Sequence, residues 1–140
     1  MKAETYEARL NNKGYVALKK IFWGYKSKVT RSKANGVCFI CHAKHDEKEL
    51  QAGHFYHSKK FCMMDDDYNI QASCIRCNNP RMLSGNLAEY SYQLIQKYGA
   101  NVITKLHDKM QTKELWNKTF KRHIIMRILA IREQANAIVT

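Results

Sequence analysis

Between Tyr15 and Ser32 the apolar residues Val16, Leu18, Ile21, Phe22, Tyr25 and Val29 recur at mostly helical spacings, with Lys19, Lys20, Lys26 and Lys28 between them. That pattern predicts a basic amphipathic helix, closed by the Ala-Asn-Gly at Ala34–Gly36. A second helix is expected over Leu87–Tyr98, where Leu87, Tyr90, Leu94 and Tyr98 share one face and Gly99 is a natural stop. Asn101–Lys109 reads as a short helix. Lys113–Ala137 reads as a long final one, with Leu115, Trp116, Phe120, Ile124, Ile128 and Ile131 as its buried stripe. Residues 1–14 show no periodicity and read as a loose basic lead-in. Residues 37–78 lack a helical pattern and suit short strands and tight loops. The single proline, Pro80, punctuates the chain, and Leu83–Asn86 reads as a turn before the next helix. There is no internal repeat and no low-complexity segment.

Composition narrows this to a folded protein. An apolar content of 45% with 11% aromatics is foreign to a disordered tail, and the length suits a single domain with a modest core that would welcome a metal staple. No apolar run approaches the roughly 18 residues of a membrane span, and no charged-then-apolar leader is visible, so a cytoplasmic protein is expected.

Charge adds a partner. The formal net charge of +12 points to a polyanion, most simply nucleic acid. Residues 1–36 carry nine Lys/Arg against two acids and residues 87–140 nine against four, whereas residues 37–86 carry six of each. Basic flanks thus bracket an uncharged centre that holds all the cysteines and most of the histidines. That layout suits a chemical site presented to a phosphate backbone, although a solvated basic surface kept for solubility would look similar.

Cys38-x-x-Cys41 and Cys74-x-x-Cys77 are paired knuckles. Each two-residue gap lets one tight turn aim two thiolates at one ion, and together they complete a tetrahedral four-cysteine site. Thiolates favour zinc or iron, and a structural role favours redox-inert zinc. Disulfides suit a cytoplasmic protein less well, and a thioredoxin-type pair would sit in a βαβ pattern that is missing here. Cys62 is left over as a small buried hydrophobe. A closed four-cysteine shell leaves no position for water or substrate, so any catalysis belongs to the residues between and just after the knuckles.

In that interval stand "AGHF" at Ala52–Phe55, "NIQASCIRCN" at Asn69–Asn78 and "LSGNLAEY" at Leu83–Tyr90. The order of His54, Asn69, then a Cys-x-x-Cys closing directly on Asn78 resembles the HNH, or ββα-metal, endonucleases with an embedded zinc knuckle. Taken together the segments are similar to the phage recombination endonucleases of the NinG/Rap group, which act on branched DNA. The resemblance runs from about Lys19 through Gly99. It implies a strand ending at the histidine, a loop holding Asn69 and a short helix opened by Asn78. It also implies one hard divalent cation, Mg²⁺ or Mn²⁺, held in part by the Asn78 amide oxygen. His54 would deprotonate the attacking water, and Asn69 would hold His54 in a useful tautomer and orientation. One position departs from the pattern. Many HNH sites place an Asp or His immediately before the catalytic histidine as a second metal ligand, and here that residue is Gly53. His57 and Asp65–Asp67 are the candidates to replace it, with Asp66 preferred. Otherwise His57 is a phosphate contact or plain surface, and the aspartates form a solvated turn.

The expected protein is therefore α+β: a zinc-stapled ββα-metal core over residues 37–86, a basic N-terminal helix within residues 1–36 and a helical C-terminal region over residues 87–140. Lys19, Lys20, Lys26, Lys28, Arg31, Lys33, Arg76, Lys118, Lys121 and Arg122, with Arg127 and Arg132, are the expected phosphate contacts, which position DNA without reading bases. The implied activity is metal-dependent hydrolysis of branched recombination intermediates, a Holliday junction or D-loop, in the cytoplasm of a bacterial host. The two-fold symmetry of a junction suits a homodimer, and recombination proteins of phage or host are the natural partners. Two rivals stand beside this reading: a non-catalytic zinc-knuckle DNA-binding protein, and a sequence-specific HNH nuclease, for whose base-reading module the chain leaves little room.

Overall fold

A computed structural model describes residues 2–79 and 86–138, so Pro80 and most of the expected turn at Leu83–Asn86 lie outside the described residues. The chain forms helices and one two-stranded antiparallel sheet, a small α+β protein. The order is α1 (Ala3–Asn11), α2 (Tyr15–Lys33), β1 (Leu50–His54), α3 (Phe61–Asp65), β2 (Ile70–Cys74), α4 (Ile75–Asn78), α5 (Leu87–Tyr98), α6 (Asn101–Met110) and α7 (Lys118–Asn136). No helix among the described residues is long and apolar enough to cross a membrane.

These elements gather into two compact units. The first comprises residues 1–29 and 113–140. Its buried residues include Leu10 of α1, Leu18, Phe22 and Val29 of α2, and Ile124, Ile125, Ile128 and Ile131 of α7. Residues 1–14, expected to be a loose lead-in, instead hold α1. The helix lacks an apolar stripe of its own but is tied down by Leu10, by an ion pair between Glu7 and Arg122, and by Arg132 stacked 4.1 Å over the Tyr6 ring. The final helix starts five residues later than expected. Asn117 is its N-cap, with Oδ1 accepting the Phe120 N–H at 2.8 Å, and Leu115 and Trp116 fall outside the helix and are exposed. Their apolar character continued the stripe on paper, but the cap resets the phase.

The second unit, residues 30–112, carries the sheet. Strands β1 and β2 pair from Leu50↔Cys74 to His54↔Ile70, and α4 follows β2 directly. Every residue of β2 is buried, whereas β1 is buried only in part. Tyr90 and Leu94 of α5 and Val102 and Leu106 of α6 close over the sheet, packed with Phe55, Met63 and Leu50. Leu87 and Tyr98, expected on the same apolar face, stay 47% and 37% exposed. The turn after α2 is tight for a stated reason: Gly36 has φ +81°, and a Cβ there would lie 2.5 Å from the His45 carbonyl oxygen.

Candidate functional site

The four cysteines come from two tight turns of the second unit. Cys38 and Cys41 sit in the turn after α2, which is hung on the sheet by the Phe39 N–H bonding to the Ala72 carbonyl at 2.8 Å. Cys74 ends β2 and Cys77 lies one helical turn later in α4. All four Sγ atoms lie within 4.8 Å of one another, and Cys41 Sγ stands 3.9 Å from Cys74 Sγ. Sulfurs about 2.3 Å from a zinc ion at the corners of a tetrahedron would be just under 4 Å apart, so the cluster could bind a structural metal such as zinc. The surroundings agree. Cys38 Sγ accepts backbone N–H groups from Cys41 at 3.5 Å and from Cys74 at 3.3 Å. Burial raises the thiol pKa of Cys38, but those donors outweigh it and hold the thiol below its ordinary value. Cys77 is pushed well up, first by burial and then by its sulfur neighbours. Cys62 lies apart, half-buried against the core with Sγ 3.9 Å from the Lys109 carbonyl oxygen.

Strand β1 pairs its first residue, Leu50, with Cys74 and delivers His54 at its last residue, as expected. The ring is half-buried, and burial followed by the neighbouring His57 holds its pKa below the ordinary histidine value. The His54 and His57 rings lie 5.6 Å apart, so the chain turns sharply enough after β1 to keep both on one side. Asn69 is fully buried. Its Oδ1 accepts the Tyr56 N–H at 2.8 Å and its Nδ2 donates to the Tyr56 and Met63 carbonyls at 3.1 and 3.0 Å. Its own carbonyl accepts the Phe55 N–H at 2.9 Å. Asn69 thus fixes the backbone leaving His54.

Asn78 closes α4 rather than opening a helix. Its Nδ2 donates to Gln51 Oε1 at 2.8 Å, which turns Oδ1 onto β1. A Cβ on Gly53 would lie 2.5 Å from that oxygen and 2.8 Å from Ser73 Oγ. The glycine that departs from the HNH pattern therefore has a steric reason: the strand there must meet Asn78 without a side chain between. Ser73 Oγ is buried and has no hydrogen-bond partner among the described residues. Tyr90 completes the arrangement from α5, its hydroxyl donating to the Gly53 carbonyl at 2.9 Å. Gln51, Ser73 and Tyr90 were missed in the sequence. A glycine inside a strand was the available signal, because it marks close approach by another group.

Asp66 is committed elsewhere. Its Oδ1 accepts the Tyr68 and Asn69 N–H groups at 2.8 and 3.2 Å, and its Oδ2 pairs with Lys109 Nζ at 2.6 Å. Burial alone would lower the pKa of Lys109, but the hydrogen bond and charge of Asp66 raise it. The carboxylate thus serves as a turn cap and ion-pair partner, and the preference for it as a metal ligand gives way to that role. Among the basic residues, Lys20, Lys33, Arg76, Lys118 and Arg122 are exposed, with Arg122 paired to Glu7. Lys19, Lys28, Arg31, Lys121, Arg127 and Arg132 are half-buried. Lys26 is only 3% exposed and cannot grip a phosphate, because the spacing 18, 22, 26, 29 sets it on the buried stripe of α2.

No curated protein and no solved structure matches this chain at a significant level. The family model described as Bacteriophage Lambda NinG protein matches residues 15–136, from the first residue of α2 to the last of α7. That match takes in both knuckles, His54, Asn69 and Asn78 and most of the chain, and the protein therefore belongs to the NinG family of bacteriophage lambda.

Proposed function

We propose that this protein is a metal-dependent, structure-selective DNA endonuclease of the HNH type, cutting branched intermediates of phage recombination in the bacterial cytoplasm. The observation that carries the reading is one juxtaposition. Strand β1 ends on a half-buried histidine of depressed pKa, and the Asn78 amide oxygen lies against Gly53, the residue before it, beside four clustered cysteines. Family membership supports the recombination setting.

The residues allot the chemistry as follows. His54 is neutral at physiological pH and accepts the proton of the attacking water at a ring nitrogen. Asn69 holds the segment after His54 through Tyr56 and Phe55 and so keeps the imidazole in place. The Asn78 amide oxygen is a hard donor that suits Mg²⁺ or Mn²⁺, the unpartnered Ser73 hydroxyl approaches the same point of β1, and His57 would be a further ligand better suited to Mn²⁺ than to Mg²⁺. A divalent cation bound there supplies neutralisation of charge on the leaving 3′ oxygen. The four cysteines hold zinc as scaffold. Exposed Lys20, Lys33, Arg76 and Lys118 supply phosphate contacts, and a dimer would match the symmetry of a junction.

A non-catalytic zinc-knuckle DNA-binding protein is the second reading, favoured by two findings: Gly53 offers no side-chain ligand, and Asp66 is paired with Lys109. Cleavage of a labelled four-way junction beside a matched linear duplex, with and without added Mg²⁺ or Mn²⁺, separates the two. Wild type should cut the junction only with metal, and His54→Ala should lose at least about 100-fold in rate while still binding. If both proteins bind the junction and neither cuts it with either metal, the binder reading takes its place.

A further inference from the structure

We infer that the aromatic cluster of Tyr15, Trp116 and Phe120 is a stacking platform for unpaired bases of single-stranded DNA. The inference rests on the reading of the chain as a DNA-binding protein and adds a site to it. Trp116 is 45% exposed, and Leu115 and Val16, next in sequence to Trp116 and Tyr15, are 74% and 77% exposed. Large apolar side chains left exposed on residues flanking a ring cluster mark a contact site. The rings are ordered before any ligand arrives. Tyr15 lies 5.2 Å from Trp116 and 5.7 Å from Phe120, and Trp116 lies 6.1 Å from Phe120. The Tyr15 hydroxyl donates to Glu114 Oε1 at 3.0 Å, tying the strand of chain that carries Trp116 to the start of α2.

Charge selects the occupant. The unit that holds the cluster, residues 1–29 and 113–140, carries thirteen Lys/Arg against four acids. Lys19 Nζ sits 4.3 Å over the Tyr15 ring, and Lys20, Lys113 and Lys118 are exposed near the cluster in sequence. An apolar protein partner would satisfy the rings but not the cations. Duplex DNA would satisfy the cations but keeps its base faces stacked inside. A single strand offers both, phosphates to the lysines and base faces to the indole. Branched intermediates that expose an unpaired strand would be gripped here in preference to plain duplex.

Trp23 and Trp116 are the only tryptophans, so in full-length protein carrying Trp23→Phe the emission reports on Trp116 alone. Titration with an oligo-dT strand and with a matched duplex, both without Mg²⁺, tests the platform. The single strand should quench the emission. Trp116→Leu should weaken its binding about tenfold or more while duplex affinity changes by less than about twofold, and Trp116→Phe should recover most of the loss. Thermal melting of each variant guards against a folding defect. Unquenched emission with unchanged affinity in Trp116→Leu would assign the patch to a protein partner and overturn the inference. Equal weakening of single strand and duplex would overturn it too. Because no metal is added, that failure leaves the hydrolytic reading standing, and absence of junction cleavage leaves the stacking result standing.

Discussion

The imidazole of His54 departs from a free histidine because of where the chain leaves it. Burial disfavours its charged form and His57 adds a like charge nearby, so it stays neutral to a lower pH than a free histidine. The unfolded chain takes up its proton near the ordinary value of about 6.5, above the folded pKa. Between the two values the unfolded state binds more protons. This group's contribution to stability is therefore complete above the unfolded pKa and is lost as pH falls toward the folded one. With His54 as the proposed base, activity would follow the folded value. The acid limb of kcat/KM, followed between about pH 5 and 8, should have its midpoint below the ordinary histidine pKa. His57→Gln should move that midpoint up, yet not all the way, because burial is the larger cause and remains. A midpoint at or above the ordinary value in wild type would remove His54 as the base. The place of His54 at a strand end was legible in the sequence from its motif. Gln51 and Ser73 were not, because they meet Asn78 only once strand pairing sets Gln51 opposite Ser73.

Elements read best where a 3.6-residue period carries them. Helix α2 was expected over Tyr15–Ser32 and runs Tyr15–Lys33, α5 has its expected bounds, and α6 gains one residue. Helix α1 escaped because its anchors are a single leucine, an ion pair and a cation over a ring, none of which repeats. Helix α7 was overextended because Leu115 and Trp116 mimic a stripe that the Asn117 cap interrupts. The sheet was legible only as a region of strands and turns, since β2 is buried throughout and shows no alternation. The close approach of β1 to α4 is the feature with a sharp test. Gly53→Ala inserts a methyl 2.5 Å from Asn78 Oδ1 and 2.8 Å from Ser73 Oγ, so strand and helix must separate or Asn78 must rotate away. The variant should lose about 1–3 kcal/mol in chemical denaturation, and any junction cleavage should fall with it. An alanine variant as stable and as active as wild type would mean that this approach has no role.

At the scale of the molecule the four clustered cysteines, which could bind a structural metal, are unevenly placed. All four cysteines belong to the unit of residues 30–112, whereas both tryptophans belong to the unit of residues 1–29 and 113–140. The first of these units builds its sheet core around the thiols themselves: Cys38, Cys74 and Cys77 are buried in one cluster with Leu50, Ala72 and Tyr90. Withdrawing an ion from that cluster leaves sulfurs whose charge is no longer offset, with Cys77 already pushed up by burial. The other unit buries Leu18, Phe22, Ile124 and Ile128, and the cysteine cluster lies outside it. Stripping zinc with a strong chelator should therefore act on one set of amides first. Hydrogen exchange should accelerate over residues 50–54 and 70–78, while tryptophan emission and exchange within α7 change little. Returning zinc, but not Mg²⁺, should restore protection, since tetrahedral thiolate coordination favours the softer ion. Should tryptophan emission shift in step with loss of protection in the sheet, the two units would be one cooperative structure. Should chelation leave the sheet fully protected, the four cysteines would not be a metal-dependent staple at all.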